Sequence, residues 1–377
     1  ELLGLERYEH WIANFRMAQE FDPLFPEEPT AIARKFALER EMPEAEVEKL
    51  MTDLLDAPVR RDLAAFMARR LGRALEPFDI YFDDIVEAKP ATEMNAAVKS
   101  RFANVKELEA KLPAVLRELG FDGKDADFLG THIRVEVCKG AGHAMRPYLE
   151  GYGAWLRTSS LDHELGWDGF DTAMHELGHN LEQLCSTYFV SRPALRGVPN
   201  TACTEAFAFL YQSLAKRVLG LEDAAAAERQ FAVDSVATML SACQIAGPSL
   251  LELRTWRWLY ANPKATPAAL REEVLRIAAD LWSRFYERDF GPDNYRILAA
   301  YQHMIAHPLY LPDYTLGHMM SHQIRSYMRG KHLAGETKRI TSLGCLTPDL
   351  WMRKAVGAPV SPAPLAEDAA RGLRLLA

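Results

Sequence analysis

The chain has 377 residues, 49% hydrophobic and 25% charged, with a formal net charge of −8 at neutral pH. This is an ordinary globular composition, sized for one or two domains. The acidic balance and the lack of a Lys/Arg run argue against a nucleic-acid surface, and no uninterrupted apolar stretch reaches the ~20 residues of a membrane span. The nearest candidate, Ser235 to Leu253, contains Gln244, Gly247 and Pro248. From Glu1 to about Gly120, apolar residues recur three and four apart in LLGLERYEHWIANF, VEKLMTDLLDAPVRRDLAAFMARRLGRAL and VKELEAKLPAVLRELGF, which predicts helices. LEPFDIYFDDI interrupts them as an irregular segment. From Thr131 the texture changes: HIRVEVCKGAGHAM and YGAWLRTSSL are short, β-prone and punctuated by glycine, predicting one small sheet at roughly 130–165.

A helix is expected from about Asp171, with Asp171 and Thr172 as candidate caps. After Pro199 and Asn200, TACTEAFAFLYQSLAKRVLG predicts a second helix, stopped by Gly220. Helices continue to about Lys331, with a break between Pro308 and Pro312, and GAPVSPAP is a Pro-rich connection. We expect a mainly α fold, with a helical region at 1–125 and a catalytic region at 126–377. The five cysteines (Cys138, Cys185, Cys203, Cys243 and Cys345) form no CxxC pair, so neither a disulfide framework nor a thiolate metal site is expected. No secretory signal pattern is visible from Glu1 onward, and the expected location is the cytoplasm.

The most informative residues are His175, Glu176, Leu177, Gly178 and His179. Four residues of α-helix make about 1.1 turns and rise about 6 Å, so the two imidazoles point the same way and can share one Zn²⁺. Glu176 is placed to reach a water on that metal. A catalytic zinc takes three protein ligands and keeps one open position. Glu205, in an apolar helical setting, is the best third ligand, because a buried carboxylate needs a partner; Glu182 and Glu164 are rivals. Glu182 falls on the motif face seven residues after His175, which suits a supporting role. Gly178 interrupts good helix formers at up to ~1 kcal/mol relative to alanine, which suits either something passing close to the backbone between the two histidines or tight packing against a neighbouring helix.

A helical HExxH followed by a helical glutamate is the gluzincin arrangement, and the likeness extends further. LEPFDIYFDDI resembles the L-x-P-W-D-x-x-Y segment of the thimet oligopeptidase/oligoendopeptidase F family of zinc metallopeptidases. HIRVEVCKGAGHAM with YGAWLRTSS is similar to that family's glycine-rich strand pair, and HELGHNLEQ fits its H-E-x-G-H-x-L-x pattern. ITSLGCLTPDLWMRKAVGAPVSPAPLAEDAARGL resembles its closing segment. The likeness covers most of residues 75–375.

The resemblance implies a helical channel-forming fold with a small sheet beside the HExxH helix. It further implies one zinc on His175, His179 and Glu205, with Glu176 as general base in peptide hydrolysis. The family also places a histidine and tyrosines of a late helix over the metal, and IAHPLYLPDYTLGHMMSHQIRSYM is the matching segment. His307 and Tyr314 are seven apart there, and Asp313 is a candidate cap that would set Tyr314 and His318 on one face. The sequence departs from the family where His318 stands near an expected tyrosine, so the oxyanion donor is open between Tyr314, His318 and Tyr310. His143 is a further cleft candidate.

The expected partner is a peptide substrate, with no nucleic acid and no membrane. A carboxypeptidase or dipeptidase of the same clan would need a cation for the free carboxylate, for which Arg325 and Arg146 are candidates. A zinc-retaining peptide-binding protein is a further reading, against which the intact Glu176 counts.

Overall fold

The computed structural model describes residues 4–86, 91–159 and 164–377. The chain is mainly α-helical with one small sheet. It forms two compact units, each assembled from separated stretches of sequence: Glu1–Glu87, Arg229–Met319 and Ser361–Ala377 in one, and Ala88–Glu228 with Met320–Val360 in the other.

The second unit contains the sheet, in the order β1-β3-β2, with β1 (Ile133–Cys138), β2 (His143–Met145) and β3 (Ala154–Ser159). β1 runs parallel to β3, with Val135 opposite Leu156, and β2 pairs antiparallel to β3. The sheet falls where the β-prone segments predicted it; the end of the second segment, with His163, lies outside the described residues. Along β3, Ala154, Leu156 and Thr158 are buried while the residues between them are more exposed, the period-two pattern of a strand with one covered face. The Thr158 hydroxyl donates to the Gly169 carbonyl at 2.5 Å and the Asn180 amide to the Trp155 carbonyl at 3.3 Å, tying the strand to the helix that carries the HELGH motif.

That motif helix runs Trp167–Tyr188 and is almost entirely buried. It begins a turn earlier than the sequence suggested. The Asn95 side chain accepts the Trp167 N–H at 2.7 Å, and burial of Trp167 and Phe170 favours the extra turn. Gly166, not Asp171 or Thr172, is therefore the cap residue.

The helix carrying Glu205 runs Thr201–Gln212, and the Asn200 side chain caps it by accepting the Cys203 N–H at 2.9 Å. It stops before the expected end. The Ser213 hydroxyl donates to the Leu210 carbonyl at 2.6 Å, a local bond that competes with helical continuation. A single turn, Ala215–Val218, follows before Gly220, whose φ is +71°.

The motif helix and the Glu205 helix touch at Gly178. A Cβ there would stand 2.3 Å from the Phe207 carbonyl oxygen and 2.7 Å from the Ala208 Cα. The element that passes close to the glycine is thus the backbone of the Glu205 helix.

In the first unit the helices include Glu6–Phe21, Glu44–Leu55, Val59–Leu71 and Pro267–Phe285. LEPFDIYFDDI folds as 3-10 turns at Pro77–Tyr81 and Asp83–Ile85, with Asp79 held by Arg73 at 2.7 Å. The helix Ala227–Ala261 runs through Gly247 and Pro248, which break its apolar stretch but not its backbone course. The Tyr286 hydroxyl donates to the Cys243 carbonyl of this helix at 2.6 Å. By length and composition this helix could cross a membrane, but 78% of its apolar window is buried within the protein, as in a core helix. All five cysteines are free thiols.

The Gly178 contact gives the first prediction. Alanine normally gains up to ~1 kcal/mol over glycine in a helix, yet Gly178→Ala should destabilise the protein by about 1–3 kcal/mol, because the added carbon meets backbone atoms that cannot rotate away. Urea unfolding measures this, and a midpoint at or above wild type would mean that the two helices separate at little cost.

Candidate metal centre

His175, His179 and Glu205 converge in the second unit. One ligand atom from each lies within 4.8 Å of the others. The Nε2 of His175 is 3.5 Å from Glu205 Oε2, and that of His179 is 3.7 Å from the same oxygen. Tetrahedral ligands held ~2.1 Å from a zinc ion are ~3.4 Å apart, so each imidazole nitrogen stands from the carboxylate oxygen at close to the spacing such an ion requires. The other ring nitrogens are engaged elsewhere. His175 Nδ1 is 3.0 Å from Gln212 Oε1, and His179 Nδ1 is 3.0 Å from the Thr204 hydroxyl. Both imidazoles therefore direct Nε2 inward, and the residues fit a divalent transition metal of zinc type.

Burial and charge act unequally on the two histidines. Burial alone would lower the His175 pKa, but hydrogen bonding and attraction to Glu205 outweigh it and raise the pKa to about 9. For His179 burial wins and lowers the pKa to about 4, against the pull of Glu205. Glu205 thus favours the charged form of His175, while burial disfavours that of His179.

Glu176 is buried beside them, and burial raises its pKa to about 7, opposed by His175. The Ala144 amide of β2 lies close enough to oppose that rise. The turn between β1 and β2 comes so close that a Cβ on Gly142 would stand 3.0 Å from Glu176 Oε1 and 2.4 Å from the Thr172 Cγ2. Only glycine fits this point, so the sheet edge and the motif helix together fix the carboxylate. His143, at the start of β2, is exposed.

The rival third ligands go elsewhere. Glu164 pairs with Lys99 at 2.8 Å on the surface. Glu182 is fully buried, and burial raises its pKa to about 7. The Thr204 and Ser186 hydroxyls lie close enough to oppose that shift, but neither donates to the carboxylate in good geometry. Asp171, expected as a helix cap, instead accepts from the Gln212 amide at 2.6 Å. Sequence reasoning missed Gln212; its position seven residues after Glu205, two turns along the same helix, is the signal that pointed to it.

His307, Tyr310, Tyr314 and His318 belong to the first unit. Asp313 is not a cap, since its helix, Leu311–Met328, starts before it. Buried Arg40 grips the Asp313 carboxylate with two bonds of 2.7 and 2.9 Å and donates to the Leu309 carbonyl. Buried Glu252 accepts the Leu309 and Leu311 N–H groups at 2.6 and 3.2 Å. These side chains hold the break before the helix, where Leu309 has a φ of +60°. The Tyr314 hydroxyl is 3.4 Å from His303 Nε2, the His303 and His307 rings are 5.5 Å apart, and Tyr310 and Tyr314 meet edge to face at 5.1 Å. Tyr314 and His318, four residues apart, are both half-buried. His303, to which the sequence reading gave no role, joins this cluster; its four-residue spacing from His307 was the available clue.

No family model matches the sequence, and no curated protein is recognisably similar to it. Solved structures share its fold. A protein described as an oligoendopeptidase F from Bacillus anthracis matches with a TM-score of 0.61 at 16% identity, covering 96% of this chain and 60% of its own. PZ peptidase A, solved with an inhibitor, matches with a TM-score of 0.58 at 15% identity, covering 97% and 67%. Metallocarboxypeptidase 1 of Trypanosoma cruzi matches with a TM-score of 0.55 at 16% identity, covering 98% and 74%. The chain thus has the helical fold of oligoendopeptidase-type peptidases and spans 60% of the length of the Bacillus protein.

Glu182 gives a pH prediction. A carboxyl group whose folded pKa is raised from about 4.5 to about 7 penalises folding increasingly between those values and constantly above them. Glu182→Gln removes the charge. Metal-free Glu182→Gln should match wild type near pH 4.5 and exceed it by ~1–3 kcal/mol above pH 7. Thermal unfolding at pH 5 and pH 8 measures the difference; equal stability at both would show that Glu182 is ionised at little cost.

Proposed function

We propose that this protein is a zinc-dependent peptidase that hydrolyses peptide bonds in oligopeptides. The observation that carries the reading is the convergence of His175, His179 and Glu205 beside the buried Glu176 carboxylate. The fold shared with an oligoendopeptidase F, a PZ peptidase and a metallocarboxypeptidase supports it.

His175, His179 and Glu205 would hold one zinc ion. Bound there, zinc supplies a Lewis acid that polarises a carbonyl and acidifies water. Glu176 is the general base: its carboxylate, carried by the motif helix near the Ala144 amide, takes a proton from the attacking water and returns it to the departing amine. Burial around Glu176 keeps bulk solvent from competing for that proton. From the late helix, Tyr314 and His318, with His307 nearby and Tyr310 as an alternative donor, would bind substrate and donate hydrogen bonds to the oxyanion. The catalytic region is assigned to residues 126–377.

The test is Glu176→Gln, assayed on a quenched-fluorescent peptide library with zinc content measured in parallel. The amide keeps the shape but cannot accept the proton. Zinc binding should remain at about one equivalent while kcat falls at least ~100-fold. Activity within ~10-fold of wild type would remove Glu176 from the base role, and an inactive wild type with full zinc would favour a peptide-binding protein. Acceptance only of substrates with a free C-terminal carboxylate would identify a carboxypeptidase.

A further inference from the structure

Two helices bring the ligands together, and the same two carry a second set of bonds behind them. Asp171 lies one turn before His175 on the motif helix, and Gln212 lies two turns after Glu205 on its own helix. Asp171 Oδ2 is 2.6 Å from Gln212 Nε2, and Gln212 Oε1 is 3.0 Å from His175 Nδ1. An amide has a donor end and an acceptor end and can be turned either way. Alone, Gln212 could present its NH₂ to the imidazole. That would favour a proton on Nε2, where the metal bond must form.

A carboxylate accepts and does not donate, so Asp171 admits only one amide orientation. From these contacts we infer that Asp171, acting through Gln212, is a positioning residue that sets the His175 tautomer, with Nδ1 protonated and Nε2 open toward Glu205. The inference rests on the metal-centre reading proposed above. It differs from a direct carboxylate–histidine contact in that the carboxylate works at one remove: its role is to orient a neutral side chain, and that side chain holds the ring. His179 reaches the same state through Thr204, whose hydroxyl and backbone both lie against its Nδ1. Each imidazole is therefore braced from the Glu205 helix, and the reversible amide in the His175 brace has a carboxylate behind it.

The chain Asp–Gln–His makes a prediction that simple packing does not. If orientation is what matters, the polarity of the first two members can be exchanged. In Asp171→Asn/Gln212→Glu, the introduced asparagine donates to the introduced glutamate, whose other oxygen still accepts from His175 Nδ1. Zinc affinity is measured by competition with a chromophoric chelator on wild type, Asp171→Asn, Gln212→Met, the double variant Asp171→Asn/Gln212→Met, and the exchanged pair. Thermal unfolding of each metal-free protein confirms that it folds. Gln212→Met should weaken zinc binding roughly 10–100-fold, and Asp171→Asn should weaken it in the same direction. Asp171→Asn should have no further effect once Gln212 is methionine, because it acts only through the amide. The exchanged pair should recover most of the affinity.

Unchanged zinc affinity in Asp171→Asn, additive losses in the double variant, or no recovery in the exchanged pair would each overturn the inference while leaving the metal centre standing. Failure of wild type to bind zinc at all would overturn both.

Discussion

The second unit depends on one close contact: the backbone of the Glu205 helix resting against Gly178 of the motif helix. Interhelical distance normally reflects the side chains at the crossing. Here the crossing residue has none, and a carbonyl oxygen stands where a Cβ would be. The consequence is chemical. A carboxylate one helix away from two imidazoles must come within bonding distance of a shared ion, and a close helix pair shortens the distance that the glutamate must span. Gly178 sits between His175 and His179, so the point of closest approach is the point where the third ligand is needed.

That closeness brings an electrostatic burden. Glu176, Glu182 and Glu205 are all buried in one small region, where an unpaired charge is expensive. The protein meets this with several devices. His175 lies against Glu205, which favours its charged form, a strand amide lies near Glu176, and neutral side chains, Gln212 and Thr204, hold the outer ring nitrogens. A divalent cation at the centre would relieve the same burden, so metal binding and folding of this unit are expected to be coupled.

The sequence made the convergence of His175, His179 and Glu205 legible because helical geometry turns a four-residue spacing into a shared direction, and because Glu205 lies in a segment too apolar for a carboxylate without a task. The sheet was legible for the same kind of reason: a change of period between two helical stretches. Asp171 was misread as a cap because the Asn95 side chain, from a helix about 75 residues earlier in the sequence, satisfies the helix start instead; local patterns cannot contain such a partner. Gln244, Gly247 and Pro248 break the apolar run between Ser235 and Leu253, yet one helix, Ala227–Ala261, passes through all three. Gln212 and His303 were missed because neither has a chemistry that stands out until its neighbours in space are known. The likeness to the oligoendopeptidase F family, seen in scattered motifs, agrees with the shared fold, although the identities to the solved structures named above are only 15–16%.

The discontinuity of the two units bears on the order in which the protein can assemble. Both helices that supply the ligands, and all three strands, are synthesised before residue 213. Their mutual contacts are short in sequence, the kind that form fast. The unit that contains them closes only when Met320–Val360 arrives, and the other unit waits for Ser361–Ala377. Those long-range closures are the slow steps. A nascent chain therefore carries a nearly complete metal pocket for the time needed to make more than a hundred further residues, several seconds at ordinary elongation rates of ~5–20 residues per second. During that interval metal capture and chain closure compete. An ion taken up early would anchor the helix pair against the sheet and template the segments that follow.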